Sequence, residues 1–273
     1  FRLPMSSLNL SLPTIVDTTH ATNVFGGVQG YWTPESGSYT SSEPSFGRVT
    51  LTAKKLTAYT SAANELLADA AISLEALLLR LFPQALSYFE DDSFINGVGG
   101  GQPLGLINAD ALITVAKETG QAATSITAEN IDKMYSRMLP SSRSRVIWLA
   151  HPDTLPQIVS MSRSIGTGGS SVMMNNLSGA APATIYGRPL IMSEKCQSLG
   201  TAGDIYFVDF GYYVIGDRQT LSMSASPHVR FQNDETVWRF TQRVDGRPWL
   251  ESALTPRNGS NTLSPFVNLA TRS

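Results

Sequence analysis

The first 45 residues cannot build a core of their own, and this constrains the fold more than any other feature of the sequence. Pro4, Pro13, Pro34 and Pro44 stand among many glycines and serines with no sustained apolar periodicity, so the segment does not close into a packed unit. It reads as an extended arm that lies against something else. Within it, residues 30–46 (GYWTPESGSYTSSEPSF) carry Tyr31, Trp32, Tyr39 and Phe46. These large apolar groups sit on a stretch with too little structure to bury them, and left in water they would be an aggregation liability. A surface outside the segment must cover them.

The remaining chain has the means to bury a core. Its 273 residues are 42% hydrophobic, enough for one large domain or two modest ones. Lys+Arg 20 against Asp+Glu 22 leaves a net charge of −2, which supplies no field toward nucleic acid or an anionic membrane. Charged residues make up only 15% of the chain against about 25% in a typical domain. Such poverty of charge fits a surface largely covered by partners, because interface cores are depleted in charged residues. The longest apolar run, ALLLRLF, falls far short of the ~20 residues that span a bilayer, so no membrane segment is expected. Cys196 is alone, which precludes an internal disulfide, suits a reducing compartment and reads as an inert structural thiol. The start, FRLPMSSLNL, lacks the basic residues and apolar run of a signal peptide and begins on Phe1; a segment removed or left out upstream is expected.

Regular structure begins at Arg48. Val49, Leu51 and Ala53 alternate with polar residues, and across Lys54-Lys55 the phase flips to Leu56 and Ala58, which predicts a bulge or a strand passing from one packing surface to another. Residues 73–95 show helical spacing in Leu74, Leu77, Leu78, Leu81, Ala85, Tyr88 and Phe89, with Pro83 inside predicting a kink. A second helix is N-capped by Thr127 and runs through Ile131, Met134, Met138 and Leu139 to Pro140. Then follow a buried strand in RVIWLAH, a short helix opened by Pro152 and Asp153, and a mobile loop over residues 162–182. Strands resume in TIYGRPLIMS and in DIYFVDFGYYVIGD, with Asp209-Phe210-Gly211 as a turn, and TVWRFTQRV alternates cleanly. The fold class is α+β, with two β-rich regions around helices and no internal repeat.

Little in the sequence calls for catalysis. The glycines of FINGVGGGQPLGLIN follow a helix rather than a strand and satisfy neither G-x-G-x-x-G nor a G-K-[ST] ending; they read as a helix C-cap and turn rather than a phosphate loop. His20, His151 and His228 are scattered without metal-ligand spacing, and G-x-S-x-G is absent. Glu90, Asp91 and Asp92 read as a solvated helix end, because adjacent carboxylates on a helix point in different directions. No catalytic, cofactor-binding or metal residue is assigned, and no enzymatic activity is expected.

The order of these segments resembles a known family. The arm, the long two-stranded loop, the long helix closing on INGVGGGQPLGLIN, then VIWLAHPDTLPQI, IYGRPLIMSEKC, GDIYFVDFGYYVIGDR and FQNDETVWRFTQRVDGRPWLESALTPRNGSNTLSPFVNL together resemble the major capsid protein of tailed bacteriophages, of the Hong Kong ninety-seven type. The resemblance covers essentially the whole chain. It implies an N-terminal arm over residues 1–23 and an extended β-hairpin loop over 24–58. It further implies a peripheral domain with its spine helix over 59–108 and 226–273, and an axial domain over 109–225. It makes the glycine run the exit from the spine helix into the axial domain. It implies pentamers and hexamers of an icosahedral shell around double-stranded DNA held without sequence-specific binding. Portal and scaffolding proteins are the implied partners, with a possible cement protein. The implied location is the virion capsid, assembled in the bacterial host cytoplasm, with Tyr31, Trp32, Tyr39 and Phe46 as assembly contacts and no cofactor. An upstream scaffolding segment cut off during maturation would account for the chain's start. One departure stands out: some relatives weld subunits through an extended-loop lysine, and residues 23–49 contain none, so stability is expected from noncovalent overlap. Two rival readings are an encapsulin-type nanocompartment shell and a secreted β-rich hydrolase or binding module.

Overall fold

The computed structural model describes residues 1–21, 24–69, 74–165, 168–171 and 184–272. In chain order these form β1 (Arg2–Pro4), β2 (Asn9–Ile15), β3 (Phe46–Thr52), β4 (Lys54–Ala63), α1 (Asn64–Asp69) and α2 (Leu74–Asn96). Next come β5 (Ile113–Val115), α3 (Ala128–Ser136), β6 (Ile147–Ala150), α4 (Leu155–Val159), β7 (Ser162–Ile165) and β8 (Gly168–Ser171). The chain ends with β9 (Thr184–Ile185), β10 (Arg188–Met192), β11 (Ile205–Val208), β12 (Tyr213–Arg230), β13 (Glu235–Pro248) and β14 (Phe266–Leu269). Two compact units divide the chain. One comprises Phe1–Leu12, Thr50–Gly105 and Val214–Arg247; the other comprises Pro13–Val49, Leu106–Tyr213 and Pro248–Ser273.

The first unit is a four-stranded sheet, ordered β1-β12-β13-β4, with α2 on one face. Strict alternation in β13 turns Trp238 and Phe240 toward the helix, where they pack on Leu86. Phe82 stacks on Phe240 with ring centroids 4.6 Å apart. Burying each such side chain contributes about 1.5–3 kcal/mol. The helix runs unbroken through Pro83. Against the sheet it sets the i, i+4 row of partly buried Leu78 and Phe82 and buried Leu86 and Glu90, and it buries Phe94 and Ile95 in its last turn, while Leu77, Leu81, Tyr88 and Phe89 stay exposed.

Glu90 is the surprise of that row, because a solvated carboxylate was expected there. It is 7% exposed; its Oε1 accepts from Arg2 Nη2 at 3.1 Å and its Oε2 from Gln242 Nε2 at 2.6 Å. The arm thereby contributes a strand to this sheet: β1 runs parallel to β12, pairing Arg2 with Ile215. The phase flip at Lys54-Lys55 has a clear cause, since β3 belongs to a ribbon with β2 whereas β4 pairs antiparallel with β13. Leu51 and Ala53 are buried on one side of the switch, and Leu56 and Ala58 join the α2 core on the other.

The second unit is built on a six-stranded sheet ordered β5-β14-β11-β6-β10-β9. Its centre is apolar throughout, as a sheet covered on both faces requires. Trp148 of β6 stacks on Phe207 of β11 at 4.0 Å and donates its indole N–H to the Ile185 carbonyl at 3.0 Å. Met134 and Met138, at and beyond the end of α3, fill the same core. The Asn130 side chain accepts the Thr127 N–H at 3.0 Å, fixing the start of α3 where the cap was expected. Between β9 and β10, Tyr186 and Gly187 both take positive φ, 50° and 68°, the backbone of a tight hairpin turn.

One local expectation changes. Where a mobile loop was expected over residues 162–182, β7 and β8 form an antiparallel hairpin; the rest of that stretch lies outside the described residues. β14 lies between β5 and β11, its four residues all buried, because FVNL is apolar enough to serve only as an inner strand.

Candidate assembly surface

The loop that carries the expected contact residues rises from the β2–β3 ribbon. Leu8 accepts the Ala53 N–H, the Ser11 and Thr50 hydroxyls meet at 3.3 Å, and Val16 donates to Ser45 at 3.1 Å. The partner number falls as the residue number rises, so the strands run antiparallel. At the root of the loop Ser45 donates to the Gly26 carbonyl at 2.7 Å. Gly26 has φ +73°, and a Cβ there would meet Ile15 Cγ2 at 2.5 Å, so only glycine fits. Nearby, His20 Nε2 lies 3.1 Å from Asp17 Oδ2, and the His20 N–H reaches the Thr255 carbonyl at 2.7 Å. Beyond this root the chain has no regular structure over residues 29–45 apart from a turn in which Gly37 donates to Pro34 at 3.0 Å.

On this tip the four expected residues stand in solvent. Trp32 is 104% exposed and Tyr39 94%, with Phe46 and Tyr31 exposed as well. Among the described residues none of the four stacks on another; the Tyr31 hydroxyl donates to Gln29 Oε1 at 2.6 Å. The only charges between residues 24 and 47 are Glu35 and Glu43. A single chain thus leaves its largest exposed side chain on an acidic, unpacked loop.

The features considered for chemistry have structural roles. The glycine run closes a tight reversal after α2: Gly105 donates to Gly97 at 2.8 Å, Gly97 to Ser93 at 2.9 Å and Gly99 to Pro103 at 3.2 Å. A Cβ on Gly105 would strike the Gly97 nitrogen and lie 2.6 Å from the Ile95 carbonyl oxygen, so the glycine is there for backbone contact. Among the described residues no three His, Cys, Asp or Glu side chains gather at one point. Cys196 is 4% exposed, and burial, aided by the Asp204 charge, pushes its thiol up to about 12. Beside it Asp204 pairs with Arg272, both side chains fully buried. Burial pushes the Asp204 carboxyl above its ordinary range, opposed by the Gly200 N–H and by Arg272. Sequence reading missed a cavity of about 210 Å³ in the first unit, beside the C-terminal end of α2. Its walls come from β4, α2, residues 101–103 and β13, and no local pattern links those segments.

Comparison with known proteins places this geometry. The Phage capsid family model matches residues 4–258. The major capsid protein of Klebsiella oxytoca phage phiKO2 is 26% identical over 254 residues, covering 84% of this chain and 52% of that protein. The chain therefore spans about half the length of the curated relative it matches. Among solved structures, the capsid of a native GTA particle superposes with a TM-score of 0.77 at 18% identity, over 100% of this chain and 88% of that one. Mycobacterium phage Adephagia gives 0.68 at 13% identity, over 100% and 88%. The holo-SrpI encapsulin of Synechococcus elongatus PCC 7942 gives 0.60 at 12%, over 98% and 84%. The fold is thus the one shared by these capsid and encapsulin chains. With the family match extending over most of its length, the chain belongs to the phage capsid family.

Proposed function

We propose that the chain is the major capsid subunit of a tailed phage, a structural protein that builds pentamers and hexamers of an icosahedral shell around double-stranded DNA. The observation that carries this reading is the loop of residues 24–47, whose exposed Trp32 and Tyr39 have no cover in their own chain. Assembly supplies the missing surface in every copy. The near-neutral charge suits a DNA container, since a strongly basic lining would hold the genome by counterion release. In this reading residues 1–23 are the arm and 24–58 the extended loop. Residues 59–108 and 226–273, with α2 as the spine helix, form the peripheral domain, and residues 109–225 the axial domain. Portal and scaffolding proteins, and a cement protein in place of covalent welding, complete the virion in the host cytoplasm. The subunit performs no catalysis.

An encapsulin-type shell is the second reading, favoured by the 0.60 superposition on the encapsulin. Two preparations test the readings. Electron microscopy and sedimentation of the purified chain should show closed particles or capsomers, and a monodisperse monomer at micromolar concentration would sink both shells. Particles produced during infection should contain nuclease-protected DNA if the shell is a capsid; an enzyme cargo in its place would favour the nanocompartment.

A further inference from the structure

The cavity beside the C-terminal end of α2 has an apolar floor of Leu56, Pro103 and Val244 and a wall of Phe89, a residue 58% exposed. At about 210 Å³ it is smaller than the roughly 300–1,000 Å³ of small-molecule sites, and it is sized for one aromatic side chain. Four charged groups also line it. Glu90 already accepts from Arg2 and Gln242, and Lys54 faces Asp245. Asp92 uses one carboxylate oxygen on the Asn96 amide at 2.8 Å. Lys55 is exposed and has no ion pair among the described residues, so its ammonium group and the second Asp92 oxygen are available at the rim.

We propose that this cavity is the seat for the partner subunit's Trp32, with the partner subunit's Glu35 lying against Lys55. The inference rests on the shell reading and gives it a specific contact. A buried indole needs an acceptor for its N–H, which Asp92 supplies, while the floor and Phe89 take the ring. Glu35, three residues after Trp32, brings the loop's own charge to the free ammonium; the loop offers only acid, and the rim lacks a partner for its base. Within its own chain Trp32 is fully exposed and fills no cavity.

Charge exchange tests the pairing. Glu35→Lys and Lys55→Glu should each lower the yield of particles several-fold at low salt, and the double exchange should restore it. A double variant no better than either single overturns the contact. Crosslinking gives an independent answer. Particles of Thr33→Cys with Gln102→Cys, treated with a short bifunctional thiol reagent, should run as a ladder of multimers that neither single variant gives; buried Cys196 does not compete. Particles that form normally without a ladder overturn the seat and leave the shell reading standing. A parent chain that stays monomeric overturns both.

Discussion

Arg272, next to the end of the chain, sends its guanidinium to the carboxylate of Asp204, and neither side chain has any exposed surface. The Asp204 carboxylate also accepts the Gly200 N–H at 2.9 Å, and the Arg272 backbone donates to the Gly200 carbonyl at 2.8 Å. The last turn of chain is thereby fastened into the unit of the six-stranded sheet. Removing one charge strands the other in a medium that cannot solvate it. Arg272→Met should therefore cost about 3–5 kcal/mol, measured by denaturant unfolding. The pair Asp204→Asn with Arg272→Met, which keeps an acceptor for Gly200, should recover most of the loss. A single variant costing under about 1 kcal/mol would show that the pair is not the fastening.

The glycine run makes a sharper distinction between backbone packing and ligand binding. Gly105→Ala drives a methyl into the Ile95 and Gly97 backbone, whereas a Cβ at Gly100 meets nothing within 4 Å. Overpacking of this kind costs roughly 1–3 kcal/mol or more, so Gly105→Ala should melt well below the parent and Gly100→Ala close to it. Equal, mild effects would mean that the reversal yields easily.

What the sequence revealed and what it hid follow from the range of the forces involved. Alternation in TVWRFTQRV exposed the packing face of β13, and the phase change at Lys54-Lys55 exposed the exchange of strand partners, because both are properties of consecutive residues. Thr127 marked the start of α3 for the same reason. Glu90 was misread because the side of a helix that turns inward depends on where the sheet lies; its place four residues after Leu86 was the available signal. The pairing of β14 with β5 and β11, the union of Asp204 with Arg272 and the cavity near Lys55 join segments far apart in sequence. Nothing local encodes them. The exposed aromatics of the loop were legible as a problem of unburied surface, though not the surface that solves it.

Asp245 couples stability to pH. It is buried and accepts the Thr52 N–H at 2.6 Å. Burial raises its carboxyl above the model-compound value of 3.8, against the pull of the Thr52 and Gly246 N–H groups and of Lys54 and Arg247. The folded state thus holds this proton more tightly than the unfolded state. Its contribution is fully present below about 3.8 and is lost as pH rises through the folded value. Asp245→Asn keeps an acceptor for Thr52 and removes the charge. Relative to the parent, it should melt as high or higher at pH 7, with the difference shrinking as the pH is lowered. A variant that melts several degrees lower at pH 7 would show that the ionised form is the stabilising one.

The loop makes the most direct test of assembly. Trp32 and Tyr39 touch nothing that holds the subunit together, so replacing both by alanine should leave the circular dichroism spectrum and the unfolding of the isolated subunit unchanged. In the shell, each aromatic that a neighbour covers contributes about 1.5–3 kcal/mol, and the loss recurs at every copy. The double variant should therefore need a higher protein concentration to form particles, and those that form should melt earlier than the parent's. Phe46→Ala and Tyr31→Ala, from less exposed positions, should have smaller effects in the same direction. If the double variant assembles and melts like the parent, the aromatics are surface ornament and another part of the chain joins the subunits; if the isolated subunit unfolds, their role is internal.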